Sequence, residues 1–398
     1  MKNCYLQIGK LIDGRNAVAQ KDTSIRIVDG FIAGIGGMPE PGDTIVDYTA
    51  NTVMPGIINC HVHVDFTAGP DPVGDMLSAN GVELTLVTAR NLAETLSSGI
   101  TYVRNMGSKD FIDMQFKSAI GKGLVKGPGI VTCGHVISIT GGHGYQFAYE
   151  SDGPDECRKN TRRLLKTGVD QIKTISTGGI MTKGVEPGSA QMTYDELKAV
   201  VEEAKKAGRK VSSHAQGTEG IRNAVMAGVD SIEHAIYLTD EVIDLMLERG
   251  TYLVPTLVAP WFIIKNGEAA GIPKYVVNKA ETAIEAHFNS IKKAYKAGVK
   301  IAMGTDSGTP YNPHGLAWEE FKLMTDIGMS PMETITAATK TASKLLGIDK
   351  EYGTLEVGKA ADILVVDGDP IADLSVLSKA AAVWKGGVLV QPINHEIM

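Results

Sequence analysis

The sequence predicts an α/β protein in which a (β/α)8 TIM barrel carries a small β-sandwich domain built from both chain ends. Two observations predict it. A polar amphipathic stretch, a glycine and a short apolar run follow one another repeatedly through the middle of the chain. Both ends contain short β-like runs and turn residues but no helical pattern. Alternating β and α elements predict a parallel sheet, and eight such units are typical of a closed barrel.

The glycines mark the ends of the predicted helices. Gly168, Gly208, Gly228 and Gly298 each separate an amphipathic stretch from an apolar run. Glycine allows the left-handed turn that ends a helix, and a short apolar run is typical of a parallel strand buried on both faces. Eight strands are predicted, over residues 55–64, 101–106, 129–137, 170–176, 210–214, 231–234, 252–256 and 300–305. The clearest helices are predicted over residues 194–207, 218–227, 240–249 and 274–297.

The barrel is expected over residues 55–352, and the sandwich over residues 1–54 together with 353–398. The glycine pair 386–387 predicts a hairpin in the last of these segments. A doubly wound open sheet is the alternative to the barrel, but such a sheet usually has fewer strands. No GxGxxG or Walker-type loop follows an early strand, so nucleotide binding has no support.

Composition and charge exclude several classes of protein. The chain has 398 residues, 43% of them hydrophobic, and a formal net charge of −7 without a basic cluster. A nucleic-acid-binding surface needs a positive patch, so no nucleic-acid partner is expected. The longest apolar stretch, residues 253–264, is broken by two prolines and is shorter than the roughly 20 residues that span a membrane. The scattered cysteines form no CxxC pair, which predicts free thiols and a cytoplasmic protein.

Histidines and an aspartate stand at the ends of predicted strands. His61 and His63 form an HxH pair on the first strand, where residues two apart face the same side. Alone, this pair is weak evidence for a metal site, because half-buried strand histidines also explain it. His214, His234 and Asp306 end the fifth, sixth and eighth strands, and these ends meet at one face of a barrel. Imidazoles and a carboxylate converging there predict a metal site suited to Zn²⁺.

Lys173 lies inside an apolar predicted strand, DQIKTIS, where a bare ammonium group is costly to bury. A lysine that extends from the strand end to solvent would explain it without any function. Beside a metal site, a lysine with a lowered pKa can instead react with CO₂ to give a carbamate. That anion could bridge two cations, so carboxylated Lys173 predicts two metal ions rather than one.

The ordered set HxH, Lys, His, His and Asp on eight strands resembles the amidohydrolase superfamily. The opening PGIINCHVHV (55–64) is similar to its first-strand motif, and residues 338–370 are similar to its closing helix and return to the β domain. Three further segments resemble the prolidase-like group, which includes Xaa-Pro dipeptidases and is related to imidazolonepropionases. They are ITGGHGY (139–145), IKTISTGG (172–179) and AGVDSIEHAIYL (227–238).

The resemblance implies a binuclear centre of two divalent ions, with Zn²⁺ expected. Its six ligands would be His61, His63 and Asp306 for the first ion, His214 and His234 for the second, and carboxylated Lys173 as a bridge. A hydroxide bridging the ions would attack an amide carbonyl. Asp306 would pass the proton to the leaving amine, and His143 and Tyr237 would contact the scissile group.

The implied substrate is a small molecule, either a dipeptide or an N-acyl amino acid. A C-terminal proline, a basic residue or a large apolar residue could each fit. Relatives of this kind often form homo-oligomers, so a homo-oligomer is expected. The chain departs from the family pattern at Asn59, Asn105 and Ala235, none of which is a ligand position.

Other reactions stay open on the same site, namely hydrolysis of cyclic amides, lactones or carbamates. A mononuclear deaminase or imidazolonepropionase-type enzyme has less support, because related deaminases usually lack the strand-four lysine and carry HxxE where this chain has Gly217. A non-catalytic scaffold would tend to lose ligands, and all six are present. Of the remaining histidines, His287 lies in the long predicted helix and is expected to face solvent, whereas His314 follows strand eight and could reach the substrate.

Overall fold

The computed structural model describes residues 3–390. The strands in this range are β1 (Cys4–Leu11), β2 (Gln20–Val28), β3 (Phe31–Ile35), β4 (Thr44–Pro55), β5 (Ile57–Val62), β6 (Ile100–Asn105), β7 (Gly129–Val131), β8 (Val136–Ser138), β9 (Ala148–Glu150), β10 (Gln171–Ile175), β11 (Lys210–Ala215), β12 (Ser231–His234), β13 (Tyr252–Val254), β14 (Ile363–Asp367), β15 (Ala380–Lys385) and β16 (Val388–Val390). The helices are α1 (Pro72–Ser78), α2 (Gly81–Ser97), α3 (Ile112–Gly121), α4 (Pro154–Thr167), α5 (Tyr194–Lys206), α6 (Thr218–Ala227), α7 (Asp240–Arg249), α8 (Val258–Asn266), α9 (Lys274–Ala297), α10 (Ala317–Asp326), α11 (Pro331–Thr336) and α12 (Ala342–Leu346).

Both chain ends contribute to one seven-stranded sheet, in the order β16-β15-β14-β4-β1-β2-β3. The antiparallel pairing of β14 with β4, with Val365 opposite Val53, joins the C-terminal strands to the N-terminal ones. The sheet has its own apolar core, which includes Leu6 and Trp384. We expected a sandwich of two sheets, but the described residues form a single sheet that curls back. Its edge strand β3 bonds to the segment before β14, where the Ile32 N–H donates to the Lys359 carbonyl at 2.8 Å.

The middle of the chain forms two parallel sheets, in the orders β5-β6-β7 and β13-β12-β11-β10-β8-β9. The third predicted strand, residues 129–137, is divided between them, since β7 pairs with β6 and β8 pairs with β10. Thr132, in the gap between these two strands, accepts hydrogen bonds from the Asp170 and Gln171 amides at 3.0 and 3.1 Å. The divided strand therefore contacts its neighbours on both sides.

The eighth predicted strand, residues 300–305, is not a regular strand in the structure. Two isolated parallel bridges lie in this segment and just after it, one from Ile301 to Leu253 on β13 and one from Ser307 to Val62 on β5. The Asp306 N–H also donates to the His61 carbonyl at 2.8 Å. Asp306 has a φ of 58°, which interrupts an extended strand. The segment thus lies between β5, an edge strand of the three-stranded sheet, and β13, an edge strand of the six-stranded sheet. This position brings Asp306 beside His61.

The helices agree closely with the predicted ranges. The bounds of α6, α7 and α9 are as predicted, and α5 ends one residue earlier than expected. Helix α5 begins with a capping box in which Thr193 and Glu196 satisfy each other's backbone amides. Gly228 and Gly298 end α6 and α9 in the left-handed conformation, as expected from the glycine pattern. Among the described residues, no helix is long and apolar enough to cross a lipid bilayer.

Candidate active site

The predicted ligand histidines form a row of neighbouring rings at the carboxyl ends of the parallel strands. Ring centroids are 5.7 Å apart for His61 and His63, 5.0 Å for His61 and His234, and 4.6 Å for His214 and His234. All four side chains are buried. Burial disfavours the charged imidazolium, so the pKa values of His63, His214 and His234 are lowered and these rings are neutral near pH 7.

Asp306 lies against two of these rings. Its Oδ1 atom is 3.2 Å from His61 Nε2 and 3.4 Å from His63 Nε2. Burial raises the pKa of this carboxyl, but His61 and His63 outweigh that effect and hold it well below the usual value. Donor atoms of His61, His234 and Asp306 lie within 4.8 Å of one another. Asp306 Oδ1 is buried and has no hydrogen-bond partner in residues 3–390, so the carboxylate is free to coordinate a cation.

Lys173 lies in the middle of β10 and is only 2% exposed. Its Nζ atom has no hydrogen-bond partner among the described residues. Burial lowers the pKa of this amine to about 8, against the opposing attraction of the Glu233 carboxylate. A measurable fraction of the amine is therefore neutral near physiological pH, which is the form that can react with CO₂.

Two buried residues that sequence reasoning did not assign, Glu233 and Arg104, hold His61 in position. His61 Nδ1 is 2.9 Å from Glu233 Oε2, and Arg104 Nη2 donates to Glu233 Oε1 at 2.8 Å. Arg104 also donates to the Cys60 carbonyl at 2.6 Å and to Ser231 Oγ at 3.0 Å. Burial alone would raise the pKa of the Glu233 carboxyl. Arg104 and His61 lower this pKa by more than burial raises it, so Glu233 is ionised.

A signal for Glu233 was present in the sequence. On β12, Ser231 and Glu233 lie two residues apart and share the face that points to the protein interior. A glutamate at a buried strand position beside a ligand histidine is rarely without a partner. What the sequence could not supply was the partner itself, because Arg104 is on a different strand.

Of the two predicted substrate contacts, His143 lines the cavity above the histidine row. Its ring centroid is 4.4 Å from that of His214, and its Nδ1 atom is 2.7 Å from Thr182 Oγ1. Burial lowers the pKa of His143 to about 3, so the ring is neutral. Tyr237 is half-buried among apolar residues such as Ile236 and does not line the cavity in the described structure.

The cavity has a volume of about 310 Å³ and contains all six predicted ligands in its lining. Its apolar walls come from α1, α8, α9 and the loops after β5, β8, β10 and β12, and include Phe66, Leu77, Ile180, Ile236, Ile263 and Val276. His287 was expected to face solvent, but it is 1% exposed and lines the cavity, with Nε2 2.9 Å from the Pro255 carbonyl. His314 is buried against the Phe66 carbonyl at 3.1 Å and is not part of the lining.

Left-handed backbone conformations occur at several residues of this site. His234, Ala235, Thr256 and Asp306 have φ values of 74°, 54°, 52° and 58°. Such angles cost energy in residues other than glycine and are characteristic of functional sites. Thr256 Oγ1 lies 2.6 Å from His234 Nδ1, so one strained residue also orients a predicted ligand histidine.

Comparison with known proteins identifies the family. Residues 52–390 match the amidohydrolase family model. Ochratoxinase from Aspergillus niger is 31% identical over 98% of this chain and 86% of its own length. A Xaa-Pro dipeptidase with bound methionine in the active site has a TM-score of 0.91 at 34% identity, covering 98% of this chain and 100% of that one. A prolidase complexed with N-methylphosphonate-L-proline also has a TM-score of 0.91, at 29% identity over 98% of this chain and 99% of that one.

The family match begins in β4 and ends in β16, so it includes every predicted metal ligand. It confirms the superfamily expected from the strand-end motifs. The structural likeness extends over nearly the whole chain and includes relatives above 30% identity. The chain therefore belongs to the amidohydrolase family and is a hydrolase that acts on amide bonds.

Proposed function

We propose that this chain is a binuclear metal-dependent amidohydrolase that releases an amino acid with an apolar side chain from a dipeptide or an N-acyl amino acid. One observation carries the proposal: four histidines, Asp306 and the unpartnered Lys173 converge on one cavity. Neutral imidazoles and a carboxylate suit a divalent ion such as Zn²⁺. Carboxylation would explain how the Lys173 amine is tolerated without a partner.

The side chains fit two cations. The proposed ligands are His61, His63 and Asp306 for one ion, His214 and His234 for the other, and carboxylated Lys173 for both. Within residues 3–390, Asp306 Oδ1 and Lys173 Nζ are buried without a hydrogen-bond partner, which supports this division. A cation would satisfy the Asp306 oxygen, and the carboxylate formed on Lys173 would bind both ions. When bound, two divalent ions lower the pKa of a coordinated water and polarise the substrate carbonyl.

We also propose that the parallel strands form a closed eight-stranded barrel over residues 55–352. The bridges from segment 300–307 to both β13 and β5 support closure. The curled sheet would then form a separate small domain from residues 1–54 and 353–398. This arrangement puts the ligands at the carboxyl ends of the strands, where barrel enzymes have their active sites.

Asp306 is the proposed proton acceptor. It is ionised because His61 and His63 keep its pKa low, and its φ of 58° projects the carboxylate between these rings. It would take a proton from the attacking water and transfer it to the leaving amine.

His143 is the proposed hydrogen-bond donor to the developing oxyanion. The only described acceptor for the Thr182 hydroxyl proton is His143 Nδ1. A neutral imidazole that accepts at Nδ1 carries its proton on Nε2. That N–H is free to stabilise negative charge on the substrate, an effect typically worth about 10²–10³ in rate.

The apolar walls support an apolar substrate side chain. Apart from the ligands, the charged residues lining the cavity are Asp71 and Lys183. Lys183 is exposed and could pair with the terminal carboxylate of a substrate. Ile263 and Val276 are 2% and 3% exposed and belong to one apolar cluster. A basic side chain would find no buried acid in these walls, which disfavours a basic C-terminal residue.

The test is hydrolysis of a panel by protein loaded with Zn²⁺ and bicarbonate. N-acyl amino acids and dipeptides would end in Phe, Leu, Met, Pro, Lys or Asp, and released amino acid would be measured. We expect kcat/KM of at least about 10⁴ M⁻¹s⁻¹ for the apolar set and at least about tenfold less for Lys and Asp. Val276→Thr should reduce that preference. Val277→Thr is the matched control, because Val277 is buried in the same cluster but does not line the cavity.

The panel separates the alternatives. A preference for lysine or aspartate would contradict the apolar subsite while leaving the amidohydrolase reaction intact. No release from any member would contradict the dipeptidase or acylase assignment, and cyclic amides, lactones and carbamates would then be assayed with the same metal-loaded protein.

A further inference from the structure

One segment provides a large part of the cavity wall. Residues 177–190, called here the β10–α5 loop, leave the sheet after β10 and return before α5. Thr177 and Ala190 form an antiparallel bridge at the base of the loop, and the Gly178 N–H donates to the Ser189 carbonyl at 2.9 Å. Residues 180–183 of the loop line the cavity. The position of this loop therefore shapes the space available to a substrate.

The β10–α5 loop packs directly on His143. Thr182 Oγ1 lies 2.7 Å from His143 Nδ1, and Thr182 is 7% exposed. On the other side, a Cβ atom added to Gly179 would come within 2.5 Å of the His143 ring. A displacement of the loop would therefore displace the imidazole proposed to contact the substrate.

The loop is tied to helix α9 by two side chains. Lys279 Nζ donates to three loop carbonyls: that of Thr182 at 2.9 Å, that of Gly179 at 3.4 Å and that of Val185. Tyr275, one turn earlier on α9, donates its hydroxyl proton to the Met181 carbonyl at 3.0 Å. An ammonium group has three donors, so all the donors of Lys279 are used on this one loop.

We propose that Lys279 is a positioning residue that fixes the β10–α5 loop over His143 and so sets the geometry of the substrate cavity. The bonds are charge-assisted and join segments about a hundred residues apart in sequence. Lys279 acts on the reaction through Thr182 and His143, not by contact with the reacting atoms. The kinetic part of this inference rests on the proposed amidase function, whereas the structural part does not.

The test compares Lys279→Met with Lys293→Met. Methionine keeps the apolar stem of lysine but removes its donors. Lys293 is on the same helix, with an exposed side chain whose Nζ is 3.4 Å from Asp240, so it is a matched control. Amide hydrogen exchange would be followed in peptides covering residues 177–190 and residues 210–234. We expect exchange in the loop to become about tenfold faster or more in Lys279→Met alone, with the β11–β12 region unchanged.

Kinetics and metal content complete the experiment. In Lys279→Met we expect a lower kcat and a higher KM, with kcat/KM reduced about tenfold to a hundredfold, because His143 is displaced. Bound metal should be unchanged. Tyr275→Phe removes one bond instead of three and should give a smaller effect in the same direction.

Two results would overturn the inference: loop exchange that is the same in Lys279→Met as in the control, or loss of activity that follows loss of metal or of global protection. For the second case, Lys279→Cys alkylated with 2-bromoethylamine restores an ammonium at this position. The four native cysteines are buried, which favours alkylation at residue 279. Restored loop protection would support the role of Lys279. If the ammonium does not restore loop protection, that role is contradicted. Hydrogen exchange needs no substrate. A wild-type protein that is inactive on the panel would therefore contradict the proposed function, while the role of Lys279 in fixing the β10–α5 loop could still be tested.

Discussion

His61 Nδ1 lies 2.9 Å from Glu233 Oε2, and both side chains are buried. Because Glu233 is an ionised acceptor, His61 Nδ1 donates a hydrogen bond to it, which leaves Nε2 as the atom that can bind a metal ion. Nε2 faces Asp306, whose Oδ1 is 3.2 Å away. The pairing fixes the ring orientation of a proposed metal ligand. Arg104, bonded to Glu233 at 2.8 Å, keeps the carboxylate in place.

Replacing this carboxylate should weaken metal binding. Glu233→Gln retains the shape of the side chain but removes the negative charge that orients His61. We expect metal affinity to fall about tenfold to a hundredfold, measured by titration of the metal-free protein with Zn²⁺ in a calorimeter. Glu241→Gln is the control, since Glu241 is exposed on α7 and pairs with Arg222. Equal affinities for wild type and Glu233→Gln would show that His61 needs no such support.

Lys173 is expected to lower the free energy of unfolding of the metal-free protein. Lys173→Met replaces a buried, unpartnered amine with an apolar chain of similar length. The variant should be about 1–3 kcal/mol more stable than wild type without metal, measured by urea unfolding, and inactive when metal is added. Lys210→Met, on the neighbouring strand β11, is the control because within residues 3–390 its amine makes a single long hydrogen bond, to the Lys344 carbonyl at 3.4 Å. A less stable metal-free Lys173→Met would mean that the amine has a stabilising partner.

Asp306→Asn should separate binding from turnover. Asparagine can still offer an oxygen to a cation but cannot accept the proton of the nucleophile. We expect turnover to fall by at least about 10³-fold while most of the metal remains, as judged by metal analysis beside the kinetics. Full activity in this variant would show that another group is the base.

Glu320 gives a prediction about pH. It is buried on α10 and accepts the Leu257 and Val258 amides at 3.0 and 2.8 Å. Burial raises its pKa to about 8, against the lowering effect of these two bonds. Between the unfolded and folded pKa values the folded state binds more protons, so this group's contribution to stability falls as pH rises from about 4.5 to 8.

The measurement is the melting temperature between about pH 5 and pH 8 for wild type, Glu320→Gln and the neighbouring Glu319→Gln. We expect a flatter profile in Glu320→Gln only, because an amide does not titrate. Parallel profiles for all three proteins would mean that Glu320 ionises normally in the folded state.

The site was predictable where local patterns determine it. Each predicted ligand follows or ends an apolar run, and parallel strands bring such ends together, so the proximity of His214, His234 and Asp306 could be predicted without a structure. The helices were predictable because amphipathic stretches end at glycines such as Gly228 and Gly298. These signals are carried by neighbouring residues.

What depends on distant contacts was not predictable. The third strand divides because its two halves pair with different neighbours, β6 and β10. His287 was expected in solvent, but α9 packs over the cavity and buries it against the Pro255 carbonyl. Arg104 and Glu233 are 129 residues apart, and no local pattern indicates that they pair.

The number of metal ions bound per chain decides whether the site is binuclear. Metal-free protein would be loaded with Zn²⁺ and bicarbonate, and excess metal would be removed. Bound metal would then be measured by elemental mass spectrometry, with Lys173→Met treated in parallel. A binuclear centre bridged by carboxylated Lys173 predicts about two ions per wild-type chain and fewer in the variant. One ion or none in the wild type, or two in both proteins, would contradict the account.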